Sequence, residues 1–332
     1  MTSRRINIMK KTSLRTIKLP VTAAFDFRRA VGGHGWYDLP PFAWDPGACV
    51  LRRAVDLQGV GPAALRVAEG PVAQGRRVLV VRVATSGAPK RAALSAAAAA
   101  VRHMLRLDED FDSFYGAAAR VNRPDLKWVA GAGAGRLMRS PTVFEDLVKM
   151  ICTTNCTWAL TRVMIDALVS KLGHSAPEGM TTFPGPAEMA QEPPRFYRDA
   201  VRAGYRGPFL RDIARGVTSG AIDPEAWNDP LRSTEEIRKE ILSIKGAGGY
   251  VADNMLKLLG RYDGLGIDSW CRRKFSLMYH RGRKVKDHRI EKFYAPFGSW
   301  RGLALWCDIT KDWFEEGGAH HAAPGKFASS SY

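Results

Sequence analysis

Two stretches near the front of the chain alternate apolar and polar side chains: Cys49-Val50-Leu51-Arg52-Arg53-Ala54-Val55 and Arg77-Val78-Leu79-Val80-Val81-Arg82-Val83. Both are bracketed by Gly and Pro, and residues 25–83 as a whole are rich in turn formers, which predicts antiparallel strands. After Pro89 the period changes. Residues 92–107 are Ala-rich and built from good helix formers, and the alanine run 96–100 suits a helix packed closely on a neighbour. Across residues 142–172, apolar side chains fall at Phe144, Leu147, Val148 and Ile151, then at Ala159, Val163, Ala167 and Leu168. That spacing is helical, and Ser140-Pro141 ahead of it is a start signal. Further helices are expected at 197–203, 209–218, 234–243, 250–259, 269–279 and 300–314. The pattern is that of an α+β chain. A basic flexible extension (1–22) precedes a small antiparallel β-rich N-terminal domain (23–102), followed by a mostly α-helical domain (103–318) and a disordered tail (319–332).

Of the 332 residues, 25% are charged and 45% hydrophobic, a globular balance that excludes a largely disordered chain. No window approaches 18 uninterrupted apolar residues, so no membrane-spanning helix is expected. Cys49, Cys152, Cys156, Cys271 and Cys307 form no C-x-x-C pair and no spacing for zinc or an iron–sulfur cluster. They read as free thiols in a reducing compartment, and neither a metal nor a cofactor is expected. Charge changes the picture more. There are 50 Lys+Arg against 33 Asp+Glu, a net +17 that points to a polyanionic partner. From position 272 to 292 nine Lys/Arg, beginning with Arg272 and Arg273, stand against Asp287 and Glu291. Interleaved with Phe275, Tyr279 and His280, that stretch favours phosphate contact. Residues 1–20 hold six basic residues, no acid and no apolar core of a secretory signal.

The most informative segment begins where an apolar helix end at Ile244 meets Lys245-Gly246-Ala247-Gly248-Gly249, and a second helix starts at once with Tyr250. Glycines allow φ > 0 and let another backbone approach, and free N–H groups at the second helix's start suit a phosphate. This is the layout of a helix-hairpin-helix, which grips a DNA backbone without reading bases. A plain helix end followed by a tight turn uses the same glycines. Eighteen positions after Tyr250 stands Asp268, directly before the helix expected at 269–279. Asp favours such an N-cap for structural reasons alone. A helix of about ten residues spans roughly 15 Å, and the loop 260–267 can bring Asp268 back beside the hairpin. A carboxylate at a helix N-terminus is held ionised by the dipole and backbone donors. It suits stabilising a cationic sugar, the intermediate expected when an N-glycosidic bond breaks.

With hairpin and aspartate in this order, the chain resembles the helix-hairpin-helix (HhH-GPD) DNA glycosylases of base-excision repair over roughly residues 23–314. The likeness is to the branch shared by 8-oxoguanine glycosylase and 3-methyladenine DNA glycosylase II. It places Asp268 on the family's catalytic aspartate and residues 244–249 on its phosphate-holding hairpin. Ile151-Cys152-Thr153-Thr154-Asn155 resembles the segment whose asparagine, here Asn155, fills the gap left by a flipped base. Gly204-Tyr205-Arg206 is similar to the wedge tyrosine and the arginine that contacts the orphaned base.

The departures narrow what the resemblance implies. Bifunctional members carry a lysine where this chain has Tyr250, and a tyrosine cannot form a Schiff base with the sugar. Lys245 and Lys257 lie nearby but off the motif position, so the implied enzyme is monofunctional, with water as nucleophile and no lyase activity. Asn254 stands where the 8-oxoguanine branch has a cysteine against the base, Gly302 falls near its base-reading glutamine, and Leu160 replaces an arginine that contacts the opposite cytosine. Trp158, Tyr250, Trp270 and Trp306 fall in the regions that line the family's base pocket. Electron-poor alkylated bases stack well on aromatic faces. Trp158 and Trp306 also read as core residues, as does Trp300. The expectation is a monomeric, cytoplasmic (bacterial nucleoid) enzyme, nuclear or organellar in a eukaryote. It would act on double-stranded DNA containing a damaged base, with alkylated purines the preferred lesion and no membrane partner. The alternatives are a catalytically silent DNA-damage-binding module and an 8-oxoguanine-type glycosylase with non-standard recognition residues.

Overall fold

A computed structural model describes residues 13–72, 75–121 and 123–315. The expected tail 319–332 and the first twelve residues of the expected extension lie outside them. The front of the chain forms a five-stranded antiparallel sheet in the order β1-β5-β4-β3-β2. The strands are β1 (Ser13–Val21), β2 (Phe42–Asp45), β3 (Val50–Leu57), β4 (Gly61–Glu69) and β5 (Arg77–Thr85). Strands β3 and β5 lie where the alternation put them, with Leu51, Val55 and Leu57, and then Leu79, Val81 and Val83, turned inward.

Strand β1 corrects the expected extension. Residues 13–21 are not a flexible arm: they pair with β5 from Ser13↔Thr85 to Val21↔Arg77. Leu19 is the only one of the nine fully buried, while Leu14, Arg15, Thr16, Lys18 and Pro20 face solvent. A strand with one buried side chain leaves no apolar alternation to read, and Lys and Pro are the residues that protect a sheet edge from further pairing.

The Ala-rich helix Arg91–Met104 lies across the sheet on Ala93, Ala97, Val101 and Met104. The periodicity over 142–172 belongs to two helices, Val143–Thr153 and Trp158–Leu172. They are separated where Asn155 takes a left-handed φ of 45° and Thr157 caps the second helix, its hydroxyl accepting from Leu160 N at 3.3 Å. Helices at Arg206–Thr218, Thr234–Ser243, Gly249–Leu258 and Ser269–His280 follow the expected positions, whereas 300–314 divides into Arg301–Ile309 and Lys311–Glu315. Residues 197–203 form a single turn at Phe196–Ala200, and Asp112–Val121, Pro186–Gln191 and Asp287–Tyr294 add helices the pattern did not announce.

Packing does not divide near residue 102. One buried cluster runs from the sheet through the helices up to Leu258. A second joins Phe111, Phe114 and Leu137 to Leu265, Cys271, Phe275 and the last helices. The loop 259–268 crosses between the two, so Asp268 sits at their junction.

Candidate functional site

The hairpin is built from the inside. Helix Thr234–Ser243 opens on a capping box between Ser233 and Glu236 and ends at Ile244, whose carbonyl accepts from Ala247 N at 2.9 Å. Gly246 has a structural reason to be glycine: its φ is +94°, and a Cβ would lie 2.4 Å from the Phe209 ring. Gly248 has none. Its φ is −84°, ordinary for any residue, and a Cβ would meet nothing within 4 Å. It is the N-cap of helix Gly249–Leu258, and no side chain caps that end. The hairpin therefore presents a bare helix N-terminus with space in front of it and an exposed Lys245 beside it. Such an end attracts an anion.

Asp268 caps helix Ser269–His280, its Oδ1 accepting from Cys271 N at 2.7 Å. It is half-buried and close enough to Tyr250, in the first turn of the hairpin's second helix, for its charge to be felt there. Burial pushes the Tyr250 phenol up to about 12 and the Asp268 charge adds to this, while a hydrogen bond with Thr153 opposes it. Tyr250 is thus neutral at ordinary pH and offers no nucleophile.

Thr153 ends helix Val143–Thr153, and two residues on, Asn155 Nδ2 donates to Tyr205 Oη at 3.2 Å. Tyr205 is 53% exposed, and its ring lies under the Arg206 guanidinium at 4.5 Å. Asn155 and Tyr205, fifty residues apart, therefore form one projecting pair. Arg206 does not project with them. It is buried and donates through Nε to Thr154 O at 3.0 Å, so it braces the pair from within. Arg272 is likewise committed, gripping Asp287 through two bonds of 2.7 and 2.8 Å; Arg273 is exposed.

Three of the four expected pocket aromatics, Trp158, Trp270 and Trp306, are linked, though through residues the sequence did not single out. Trp306 stacks on His34 (5.3 Å) and lies near Trp270 (6.4 Å); His34 meets Trp36 edge-on (4.3 Å), and Trp36 stacks on Trp158 (6.4 Å). Trp306 Nε1 also donates to Gly33 O at 2.8 Å and Trp158 Nε1 to Asp38 Oδ2 at 2.7 Å. The loop 33–38 of the first domain is thereby threaded between tryptophans of the second. Only Gly-Gly-His-Gly-Trp, as a turn with aromatics, could have hinted at it. A surface cleft of about 490 Å³, lined by His103, Phe111, Arg139, Tyr262 and Trp300, lies beyond the C-terminal end of helix Gly249–Leu258, away from Asp268. Among the described residues no group of His, Cys, Asp and Glu could hold a metal, and no helix is long and apolar enough to cross a membrane.

No family model matches the sequence, and no curated protein matches it. Solved structures do. The chain aligns with 3-methyladenine DNA glycosylase from Archaeoglobus fulgidus at a TM-score of 0.71 and 18% identity, covering 90% of this chain and 99% of that one. MBOgg1 in complex with a low affinity DNA ligand follows at 0.68 and 20% identity, covering 91% and 99%. The apo form of 8-oxoguanine glycosylase/lyase from Clostridium acetobutylicum gives 0.61 and 17%, covering 83% and 93%. The fold is that of the helix-hairpin-helix DNA glycosylases.

Within that glycosylase fold, one of the departures seen in the sequence has a steric cause and another a hydrogen-bonding one. Gly302 is packed under the loop 262–264: its N–H donates to Tyr262 O at 2.8 Å, and a Cβ would lie 2.1 Å from Gly264 O. No glutamine fits there. Asn254 turns into the structure, donating through Nδ2 to Tyr250 O at 2.8 Å and accepting from Lys257 Nζ at 3.3 Å, so its amide is spent on the scaffold. Lys257 is itself buried, and Lys245 stands at the hairpin, so the position of Tyr250 has no amine in its place.

Proposed function

We propose that this chain is a monofunctional DNA glycosylase of base-excision repair, which flips a damaged base from duplex DNA and hydrolyses its N-glycosidic bond. The observation that carries the reading is that Tyr250, in the first turn of the helix opened by the glycine hairpin, and Asp268, the N-cap of the next helix, lie close enough for the Asp268 charge to be felt at the phenol. The hairpin's bare amides and Lys245 hold the phosphates, and Asn155 with Tyr205 enters the duplex where the base has left. Flipping costs a few kcal/mol and is easiest for a weakened pair. Asp268 then stabilises the cationic sugar as the bond breaks and orients the attacking water. With a neutral phenol at 250, Lys257 buried and engaged, and Lys245 outside the motif position, hydrolysis without a Schiff base follows. Alkylated purines fit best: a row of tryptophans suits electron-poor rings, and Gly302 and Asn254 offer no polar edge for reading an oxidised guanine.

Base release from duplexes carrying one alkylated purine, hypoxanthine, 8-oxoguanine or uracil tests this, with abasic sites revealed by hot alkali. Wild type releases an alkylated base, and Asp268→Asn loses at least about a hundredfold in rate with DNA affinity retained. Salt-dependent binding without release from any duplex refutes catalysis and leaves Asp268 a helix cap. A borohydride-trapped adduct refutes the water mechanism.

A further inference from the structure

Lys257 takes no part in the reaction above, yet it is set into the segment that ends in Asp268. It lies two turns after Tyr250 on the same helix, fully buried at the seam between the two cores. Its Nζ donates to Leu265 O at 2.7 Å and to Asn254 Oδ1 at 3.3 Å, and lies 5.8 Å from the Trp306 ring centre. The loop is moulded around it: Gly266 has φ +61°, and a Cβ there would come within 2.8 Å of Nζ and 3.2 Å of Asn254 Nδ2. Gly264 rests on Asp253 in the same way, at 3.3 Å. The charged and titratable groups around Lys257 are Asp253 on its own helix, Asp268 and Cys271 at the start of the next, and Arg106, which donates to the Lys257 carbonyl from the far side.

Building on the glycosylase reading, we propose that Lys257 is a positioning residue for Asp268: its ammonium clamps the loop 264–268 to helix Gly249–Leu258, and base release requires that protonated form. Burial lowers Lys257 from the ordinary lysine range to about 8, against the attraction of the Asp253 and Asp268 carboxylates. The requirement therefore gives base release an alkaline limb.

The test is single-turnover base release against pH, combined with hydrogen exchange of the amides 265–268. Lys257→Met lowers the rate at neutral pH about 10- to 100-fold, changes affinity for the lesion duplex less than about threefold, and removes the alkaline limb. Lys257→Arg keeps its charge throughout the range and also removes the limb, with a smaller loss of rate. Lys149→Met, at a buried lysine whose ammonium pairs with Glu145, leaves the limb in place. An unchanged limb in both Lys257 variants, or a Lys257→Met rate within about twofold of wild type, overturns the proposal. Exchange separates the two readings. If wild type releases no base from any duplex while amides 265–268 exchange faster only in the Lys257 variants, the glycosylase reading falls and the clamp stands. Unaltered exchange at those amides overturns the clamp.

Discussion

Replacing Glu145 by glutamine removes one negative charge from the contact between the sheet and the helix that carries Thr153 and leads to Asn155. Arg53 faces inward from β3 and is 2% exposed, as is Glu145; Lys149 is fully buried. Arg53 Nη2 lies 2.5 Å from Glu145 Oε2, and Lys149 Nζ 2.7 Å from Oε1. The Arg53 Nε and Nη1 atoms find no hydrogen-bond acceptor among the described residues, and the guanidinium rests on the Phe42 ring at 4.1 Å. Its compensation is therefore Glu145 alone. Two cation–carboxylate pairs with charge centres about 4 Å apart are worth about 4 kcal/mol each at an effective dielectric of 20. The glutamine recovers several kcal/mol of carboxylate desolvation, which leaves a net loss of about 3–5 kcal/mol. Urea unfolding at neutral pH measures it. The triple variant Arg53→Met/Glu145→Gln/Lys149→Met recovers most of the loss, because no buried charge of the triad is left without a counterion. A Glu145→Gln variant within about 1 kcal/mol of wild type, or a triple variant no better than the single, would show that solvent reaches this contact and that the ion pairs do not hold it.

Two further outcomes are expected. Gly246→Ala destabilises the protein by about 1–2 kcal/mol through its positive φ and the contact with Phe209. Gly248→Ala leaves stability unchanged or raises it by about 0.4–1 kcal/mol, yet weakens DNA binding about tenfold because its methyl stands where the phosphate approaches; unchanged DNA affinity in Gly248→Ala would place the DNA elsewhere. Burial brings Lys149 and Lys257 down to about 8 from the 10.5 of a solvated lysine. Between those values the unfolded chain binds protons that the folded one has released, so their contribution to stability rises with pH from about 8 to about 10. Urea unfolding in steps across that range checks it: the slope is shallower in Lys149→Met, and an identical slope in that variant sinks the assignment.

Most of the fold was legible because the inward-facing positions repeat at regular spacing, as on Arg91–Met104 with Ala93, Ala97, Val101 and Met104. Where reading failed, the physical signal was missing. Strand β1 turns one side chain fully inward, so its sequence is indistinguishable from a basic arm. The break after Thr153 is made by a left-handed Asn155 and a threonine cap, while the apolar period carries on across it. Helix Asp287–Tyr294 buries two of its eight residues, Ile290 and Tyr294, too few to establish a period.

The candidate site divides along the same line. Hairpin and aspartate were readable because their backbone demands select residue types, glycine at positive φ for Gly246 and a carboxylate at the N-cap for Asp268. What surrounds them was not, since it depends on long-range contact: His34 against Trp306, Asn155 against Tyr205, Lys257 against Leu265. Arg206 and Arg272 illustrate the limit of charge counting, for a cation's partner decides its use, and Thr154 O and Asp287 had claimed these two. The departures from the family pattern are also linked through a single loop. Gly302 lets residues 262–264 settle onto the helix Arg301–Ile309, and the close fit of Gly264 and Gly266 over Asp253, Asn254 and Lys257 follows from the same descent. Replacing Gly302 alone by glutamine would lift that loop off Lys257 before it placed an amide in any pocket.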